Sequence, residues 1–181
     1  MKTNKRYWWL IGLINTNGYT VGAEIGCANG ATTGRLLRYC KGLKLYAVDK
    51  WEKIDAGTEG GAMEGGPGCE TWDPVNGLRR FHRATQSHSN RLTVLHGDST
   101  KMAKKVPDGA LDFVFIDADH RYPAVIKDLA AWVPKLKPGG TLCGHDIHLL
   151  GVKRAVEEKL IQYKEAGIDH VWYCKKEDYV Y

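Results

Sequence analysis

Two short stretches of this 181-residue chain concentrate side chains suited to moving a proton: "DADH" at 117–120 and "HD" at 145–146. An ordinary imidazole titrates close to neutral pH, so His120 or His145 can serve as a general base. Asp117, Asp119 and Asp146 place carboxylates beside those rings. Each stretch follows an apolar run, "FVFI" before the first and "TLCG" before the second. If those runs are neighbouring parallel strands, about 4.8 Å apart, both groups face one crevice.

A third stretch, "GAEIGCANGATTGRLLRYC" at 22–40, reads as a strand, a glycine turn and a helix. Such a turn lets backbone approach a ligand closely and points helix amides at it. A dinucleotide site needs G-x-G-x-x-G, but here Gly26 is followed by Cys27, Ala28, Asn29 and Gly30, without the middle glycine that admits a pyrophosphate. A P-loop needs Gly-Lys-Ser/Thr, and the chain offers Gly30-Ala31-Thr32. The turn therefore suits a ligand with a nucleoside part and no polyphosphate. Asp49 stands 19 residues after Gly30 at the end of "LYAVD", where a carboxylate can accept hydrogen bonds from both ribose hydroxyls. Trp51 follows it, as a wall for a base or as a core residue.

The elements that must position these residues alternate. Apolar runs at 21–25, 43–48, 92–95, 111–116 and 141–143 are separated by segments able to form helices with one apolar stripe. A first helix within 1–20 covers the sheet, and another spans 151–167, capped by Gly167. The end, "DHVWYCKKEDYVY", reads as two strands around the turn Lys175 to Asp178, an antiparallel hairpin closing the sheet. This predicts one α/β domain over 1–181, a doubly wound and mostly parallel sheet of Rossmann-like type. One stretch breaks the alternation: residues 55–74 are dense in glycine and carry two prolines, either a substrate lid or a surface insertion.

Composition narrows the partners. The formal charge is +5, from 26 basic and 21 acidic residues, with no arginine-rich arm, which argues against nucleic acid. The five cysteines include no C-x-x-C pair, consistent with reduced thiols in a cytoplasmic protein. The apolar part of the start, Tyr7 to Ile14, is too short to span a bilayer and precedes no small-residue cleavage site. The aromatic end, with Trp172, Tyr173, Tyr179 and Tyr181, either pairs across a homodimer or finishes the sheet of a monomer.

"EIGCANG" resembles the first motif of the class I S-adenosylmethionine-dependent methyltransferases, E/D-x-G-x-x-x-G, with Glu24, Gly26 and Gly30 in the matching places. The likeness runs on through "LYAVDKW", "VLHGDS", "FVFIDADH" and "LKPGGTLCGHD", nearly the whole chain. By resemblance Asp98 holds the adenine amino group, with Ser99 beside it, and the donor site comprises Glu24, Gly26, Cys27, Ala28, Asn29, Gly30, Asp49, Trp51, Asp98, Ser99 and Asp117. The Asp-Ala-x-His-x-Tyr segment and the Gly-His-Asp ending are similar to small methyltransferases related to the cephalosporin-hydroxylase and macrolide-sugar O-methyltransferase group. That likeness implies O-methylation of a small molecule or sugar. In metal-dependent O-methyltransferases an acid after the fourth strand and a pair after the fifth bind a divalent cation. Asp117, His145 and Asp146 are the candidate ligands here, for Mg²⁺ or, given the histidine, Mn²⁺. Without a metal the catalytic candidates are Asp117, His120 and His145. A nucleic-acid or protein methyltransferase is the rival enzyme reading, and a non-catalytic S-adenosylmethionine-binding regulator is the rival outside enzymes. "DADHRYP" stands where amino-methylating DNA enzymes carry Asn/Asp-Pro-Pro-Tyr/Phe, which argues against that class.

Overall fold

A computed structural model describes residues 5–52 and 73–181. Five parallel strands, β1 (Val21–Ile25), β2 (Lys44–Asp49), β3 (Leu92–His96), β4 (Leu111–Ile116) and β5 (Leu136–Gly144), are joined by helices α2 (Ala31–Tyr39), α3 (Pro74–Thr85), α4 (Ser99–Ala103) and α5 (Tyr122–Trp132). Helix α1 (Arg6–Asn17) precedes them, and α6 (Leu150–Lys159) leads to the antiparallel strands β6 (Lys164–Glu165) and β7 (Trp172–Lys175). The order β3-β2-β1-β4-β5-β7-β6 reverses between β1 and β4, so the carboxyl ends of β1 and β4 border the crevice expected of an open α/β sheet.

Side-chain alternation divides the sheet between two cores. Phe113 and Phe115 of β4 turn toward Leu10, Ile11 and Ile14 of α1 and Leu36 and Leu37 of α2. Val114 and Ile116 turn the other way, onto Val125, Leu129 and Trp132 of α5 and Val152 and Val156 of α6. Each fully buried side chain of this size contributes about 1.5–3 kcal/mol. Because β1 and β4 are covered on both faces, their ends are fixed on a rigid support.

Three sequence expectations are corrected. The last helix stops at Lys159, not Gly167; Gly167 has φ +68° in the connection between β6 and β7. The hairpin is β6 with β7, because Lys176–Asp178 form a 3₁₀ turn and Tyr179 makes only an isolated bridge to Leu160. Strand β5 starts at Leu136, and "KPGG" is looped out inside it: Leu111 pairs with Leu136, while Phe113 pairs with Thr141. The aromatic end finishes this chain's own sheet. Trp172 and Tyr179 are buried, Tyr173 packs on Trp9, and β7 lies between β5 and β6.

Residues 53–72, and with them nearly all of the glycine-rich stretch read as either a lid or a surface insertion, lie outside the described residues. Its last two residues start α3: the Asp73 carboxylate accepts from the amides of Val75 and Asn76, and Pro74 opens the helix. No helix among the described residues is long and apolar enough to cross a membrane.

Candidate active site

The ends of β1 to β4 surround a cleft of about 660 Å³. On its β1 side the turn is built by backbone. Gly26 has φ +89°, and a Cβ there would lie 2.0 Å from the carbonyl oxygen of Asp117, so only glycine lets β1 and β4 close together. Ala28 (φ 45°) and Trp51 (φ 43°) also adopt left-handed backbone. One carboxylate pins both: Asp49 accepts from the Ala28 amide at 2.8 Å and from the Trp51 amide at 2.7 Å. The Trp51 indole N–H closes the triangle by donating to the Ala28 carbonyl at 2.8 Å. Strain of this kind persists only where surrounding contacts over-determine it.

The predicted donor-site residues divide into two groups. Gly26, Ala28, Asp49, Asp98, Ser99 and Asp117 line the cleft. Glu24, Cys27 and Trp51 instead lie beneath it, buried, and Asn29 and Gly30 open α2. The Cys27 thiol donates to the carbonyls of Glu24 and Val48, and Trp51 packs on Phe81. Asn29 accepts from the Ala31 amide. Burial pushes the Glu24 carboxyl up to about 8 despite the 2.6 Å hydrogen bond it accepts from Thr33. At the far end Asp98 caps α4, and the Thr100 hydroxyl and the Lys101 amide hold its carboxyl below the usual range.

The β4 and β5 side is built by charge. His120 Nε2 lies 3.0 Å from Asp146 Oδ2 and 3.9 Å from Asp117 Oδ1. His145 Nδ1 lies 2.9 Å from Asp146 Oδ2 and 3.5 Å from Asp117 Oδ1. The register explains this meeting: Ile116 pairs with Gly144, so the residues following both strands leave the sheet side by side. Burial works against every charge here, yet the opposite charges prevail. Asp117 and Asp146 are held below the usual carboxylate range, and both imidazoles are raised to about 9. The expectation of a base titrating near neutrality assumed an unperturbed ring; with these neighbours both rings carry a proton at pH 7.

A family model described as a methyltransferase domain matches residues 23–147, from β1 through the "HD" pair after β5. The chain belongs to this methyltransferase family. No curated protein matches it in sequence. The cofactor-bound Rv0187 of MTB aligns over 98% of this chain and 82% of its own, with a TM-score of 0.69 and 14% identity. The O-methyltransferase NovP aligns over 93% and 77%, with a TM-score of 0.66 and 14% identity. A methyltransferase from Geobacter sulfurreducens aligns over 92% and 75%, with a TM-score of 0.63 and 12% identity. At such identities the likeness is one of fold, and this is the Rossmann-like fold expected from the sequence. The fold implies S-adenosylmethionine as the methyl donor.

Two residues that contact the Asp117–His145 cluster of this methyltransferase were not among the sequence candidates. Arg6, the first residue of α1, places Nε 2.9 Å from Asp117 Oδ2. Asp169, between β6 and β7, accepts from the Arg6 amide at 2.8 Å and lies 3.7 Å from His145 Nε2. Neither sits in a motif, and 163 positions separate them. Asp169, the following His170 and Asp146 all adopt positive φ.

The arrangement has room for a cation. Donor atoms of Asp117, His120 and Asp146 lie within 4.8 Å of one another. Buried His120 Nε2 and His145 Nδ1 stand near carboxylates without a geometry that makes a hydrogen bond. One nitrogen with carboxylate oxygens is a mixed donor set of the kind Mn²⁺ accepts more readily than Mg²⁺. His120 meets this geometry, whereas the sequence nominated His145.

Proposed function

We propose that this protein transfers the methyl group of S-adenosylmethionine to an oxygen of a small molecule or sugar. The observation that carries the proposal is a single residue, Asp117. It lines the donor cleft and, on the same side chain, meets Arg6, His120 and His145. A methyl donor and a proton-handling centre therefore share one wall.

Methyl transfer from a sulfonium is an in-line displacement in which the acceptor's O–H bond breaks as the new C–O bond forms, so donor and acceptor must be aligned and the proton must have a destination. The pinned turn at Ala28 and Trp51 fixes the donor side. Asp117 faces the acceptor, with His120 and His145 behind it as the nearest proton carriers. A divalent cation held by Asp117, His120 and Asp146, with His145 adjacent, would lower the pKa of the acceptor hydroxyl. The support for it is the donor set, not an observed ion. The two routes differ in pH dependence. If a protonated imidazole must first lose its proton, the rate climbs with pH to about 9; a site loaded with cation holds its imidazole neutral, and the rising limb moves to lower pH.

Calorimetric titration with S-adenosylmethionine and S-adenosylhomocysteine, with and without Mn²⁺ or Mg²⁺, is the first test. Micromolar binding of both supports the donor reading, and methyl-labelled product from a panel of phenols and sugars supports the acceptor class. Absence of binding under every metal condition rejects the proposal. Asp49→Asn is the milder variant, because Asn can still accept from one of the two amides, whereas Asp49→Ala releases both left-handed residues. A small-molecule acceptor, a cytoplasmic location and a homodimer are parts of the same proposal.

A further inference from the structure

The three helices covering one face of the sheet, α1, α2 and α3, contain no aspartate or glutamate, and each of their six permanent cations is an arginine. The whole chain carries a formal charge of +5, so the remainder of the molecule is close to neutral. Arg6 is taken up by Asp117. Arg35, Arg38, Arg79, Arg80 and Arg83 are exposed, and among the described residues none of them pairs with a carboxylate. The opposite face of the sheet differs: there Lys153 and Lys159 of α6 lie beside Glu157 and Glu158.

Packing gathers these arginines from separate helices. On one side of α2 the Arg35 guanidinium lies 4.4 Å over the Tyr7 ring of α1. On the other, Gly34 admits α3 so closely that a Cβ would stand 2.7 Å from the Ala84 carbonyl oxygen. Arg38 is one turn from Gly34 and Arg80 one turn from Ala84, so both flank this seam. Aromatic rings sit among the charges. Trp8 and Tyr39 are exposed with their ring centroids 5.2 Å apart, and the Arg38 guanidinium lies 5.7 Å from the Tyr39 ring. Of the exposed large aliphatic side chains only Val75 belongs to these helices, and it stands in the first turn of α3.

The chemistry of the face narrows its occupant. A guanidinium fork fits phosphate oxygens two at a time, and exposed aromatic rings between such forks stack with bases. A lipid surface would call for aliphatic side chains beside the rings, and a two-fold contact with a second copy would set arginine against arginine. We propose that the α1–α2–α3 face binds single-stranded nucleic acid, with phosphates on Arg35, Arg38, Arg80 and Arg83 and bases on Trp8 and Tyr39. The lack of an arginine-rich arm in the sequence concerns runs of residues, whereas here packing assembles the patch. The surface lies outside the donor cleft, and the methyl acceptor stays as proposed above.

The test is fluorescence anisotropy of labelled oligouridylate and oligothymidylate, about twelve nucleotides long, with the full chain, and with polyglutamate and phosphatidylglycerol vesicles as anionic comparators. Micromolar affinity for the oligonucleotides is expected at 50 mM salt, falling about 50-fold at 200 mM as counterions return to about four phosphates. Arg80 and Arg83 make no hydrogen bond or ion pair among the described residues. Arg80→Gln/Arg83→Gln should therefore unfold at the wild-type temperature and bind at least about tenfold more weakly, whereas Lys153→Gln/Lys164→Gln, the same charge removed elsewhere, should stay within about twofold. Tyr39→Ala should cost about fivefold or more with the salt dependence unchanged, since it removes stacking and not charge. No oligonucleotide binding at 50 mM salt, polyglutamate bound as tightly as the oligonucleotides, equal losses in the two charge variants, or wild-type affinity in Tyr39→Ala each overturns the proposal. Binding to the vesicles alone overturns it too, and assigns the face to a membrane.

Discussion

The two sides of the crevice do adjacent jobs with different materials. At the ends of β1 and β2 the turn is made of backbone: a glycine with no room for a Cβ, two left-handed residues and a carboxylate spent on main-chain amides. At the ends of β4 and β5 the backbone mostly delivers charge: Asp117 and Asp146 with His120, His145 and Arg6. Shape on the first side should tolerate almost no added atom. Charge on the second should tolerate changed atoms but not a changed balance.

The most severe test of that contrast is Gly26→Ala. A methyl group 2.0 Å from the Asp117 carbonyl, at φ +89°, has to push β1 and β4 apart. A loss of about 3 kcal/mol or more is expected, with S-adenosylhomocysteine binding abolished. Gly30→Ala, whose Cβ would stand 3.0 Å from Phe81, should cost visibly less. Equal unfolding temperatures for Gly26→Ala and wild type would mean that the turn is not held by shape.

On the other side, Asp117→Asn keeps volume and removes charge. Turnover should fall about 10²–10⁴-fold, while S-adenosylhomocysteine affinity stays within a few-fold of wild type. The complementary outcome, weak cofactor binding with turnover per bound donor preserved, would move Asp117 from the reaction to the cofactor. Asp146→Asn, which does not line the donor cleft, should show the same split with an even smaller effect on affinity.

A milder perturbation is pH. Both imidazoles are raised from 6.5 to about 9 in the fold by Asp117 and Asp146. A raised pKa means that the folded state binds these protons more tightly than the unfolded chain does. The stabilisation is therefore complete below pH 6.5 and is lost as pH rises through 9. Chemical denaturation at steps across that window should show declining stability in wild type and a flatter curve in Asp146→Asn. A wild-type curve without slope would mean the rings are not paired as described.

How much of this the sequence showed differs between the two sides for the same physical reason. A backbone turn leaves a local trace, because positive φ and close approach demand particular residues at fixed spacing; Gly26 and Gly30 were readable for that reason. The strand ends carrying Asp117 and His145 were readable because an apolar run followed by a polar residue marks where a buried strand emerges. Arg6 and Asp169 were not, since an ion pair constrains neither the spacing nor the neighbours of its members. The C-terminal strands were misassigned because β6 is only two exposed residues long, Lys164 and Glu165, and takes its conformation from pairing with β7.

The smallest expected effect falls on the residue where the two sides meet. Glu24 belongs to the motif of the glycine turn, yet it lies under the cleft, 1% exposed, and the charges that act on it include Asp117 and Asp49. Burial raises its carboxyl from 4.5 to about 8. Between those values the unfolded chain has released this proton while the folded one retains it, so folding is penalised progressively as pH rises from 4.5 to 8. Glu24→Gln keeps a carbonyl to accept from Thr33 and carries no proton to lose. It should leave stability unchanged below pH 4.5, raise it modestly at pH 7–8, and alter S-adenosylhomocysteine affinity less than Asp49→Asn does. A large loss of affinity without loss of stability would show that Glu24 reaches the ligand after all, and that the turn is read through charge as well as shape.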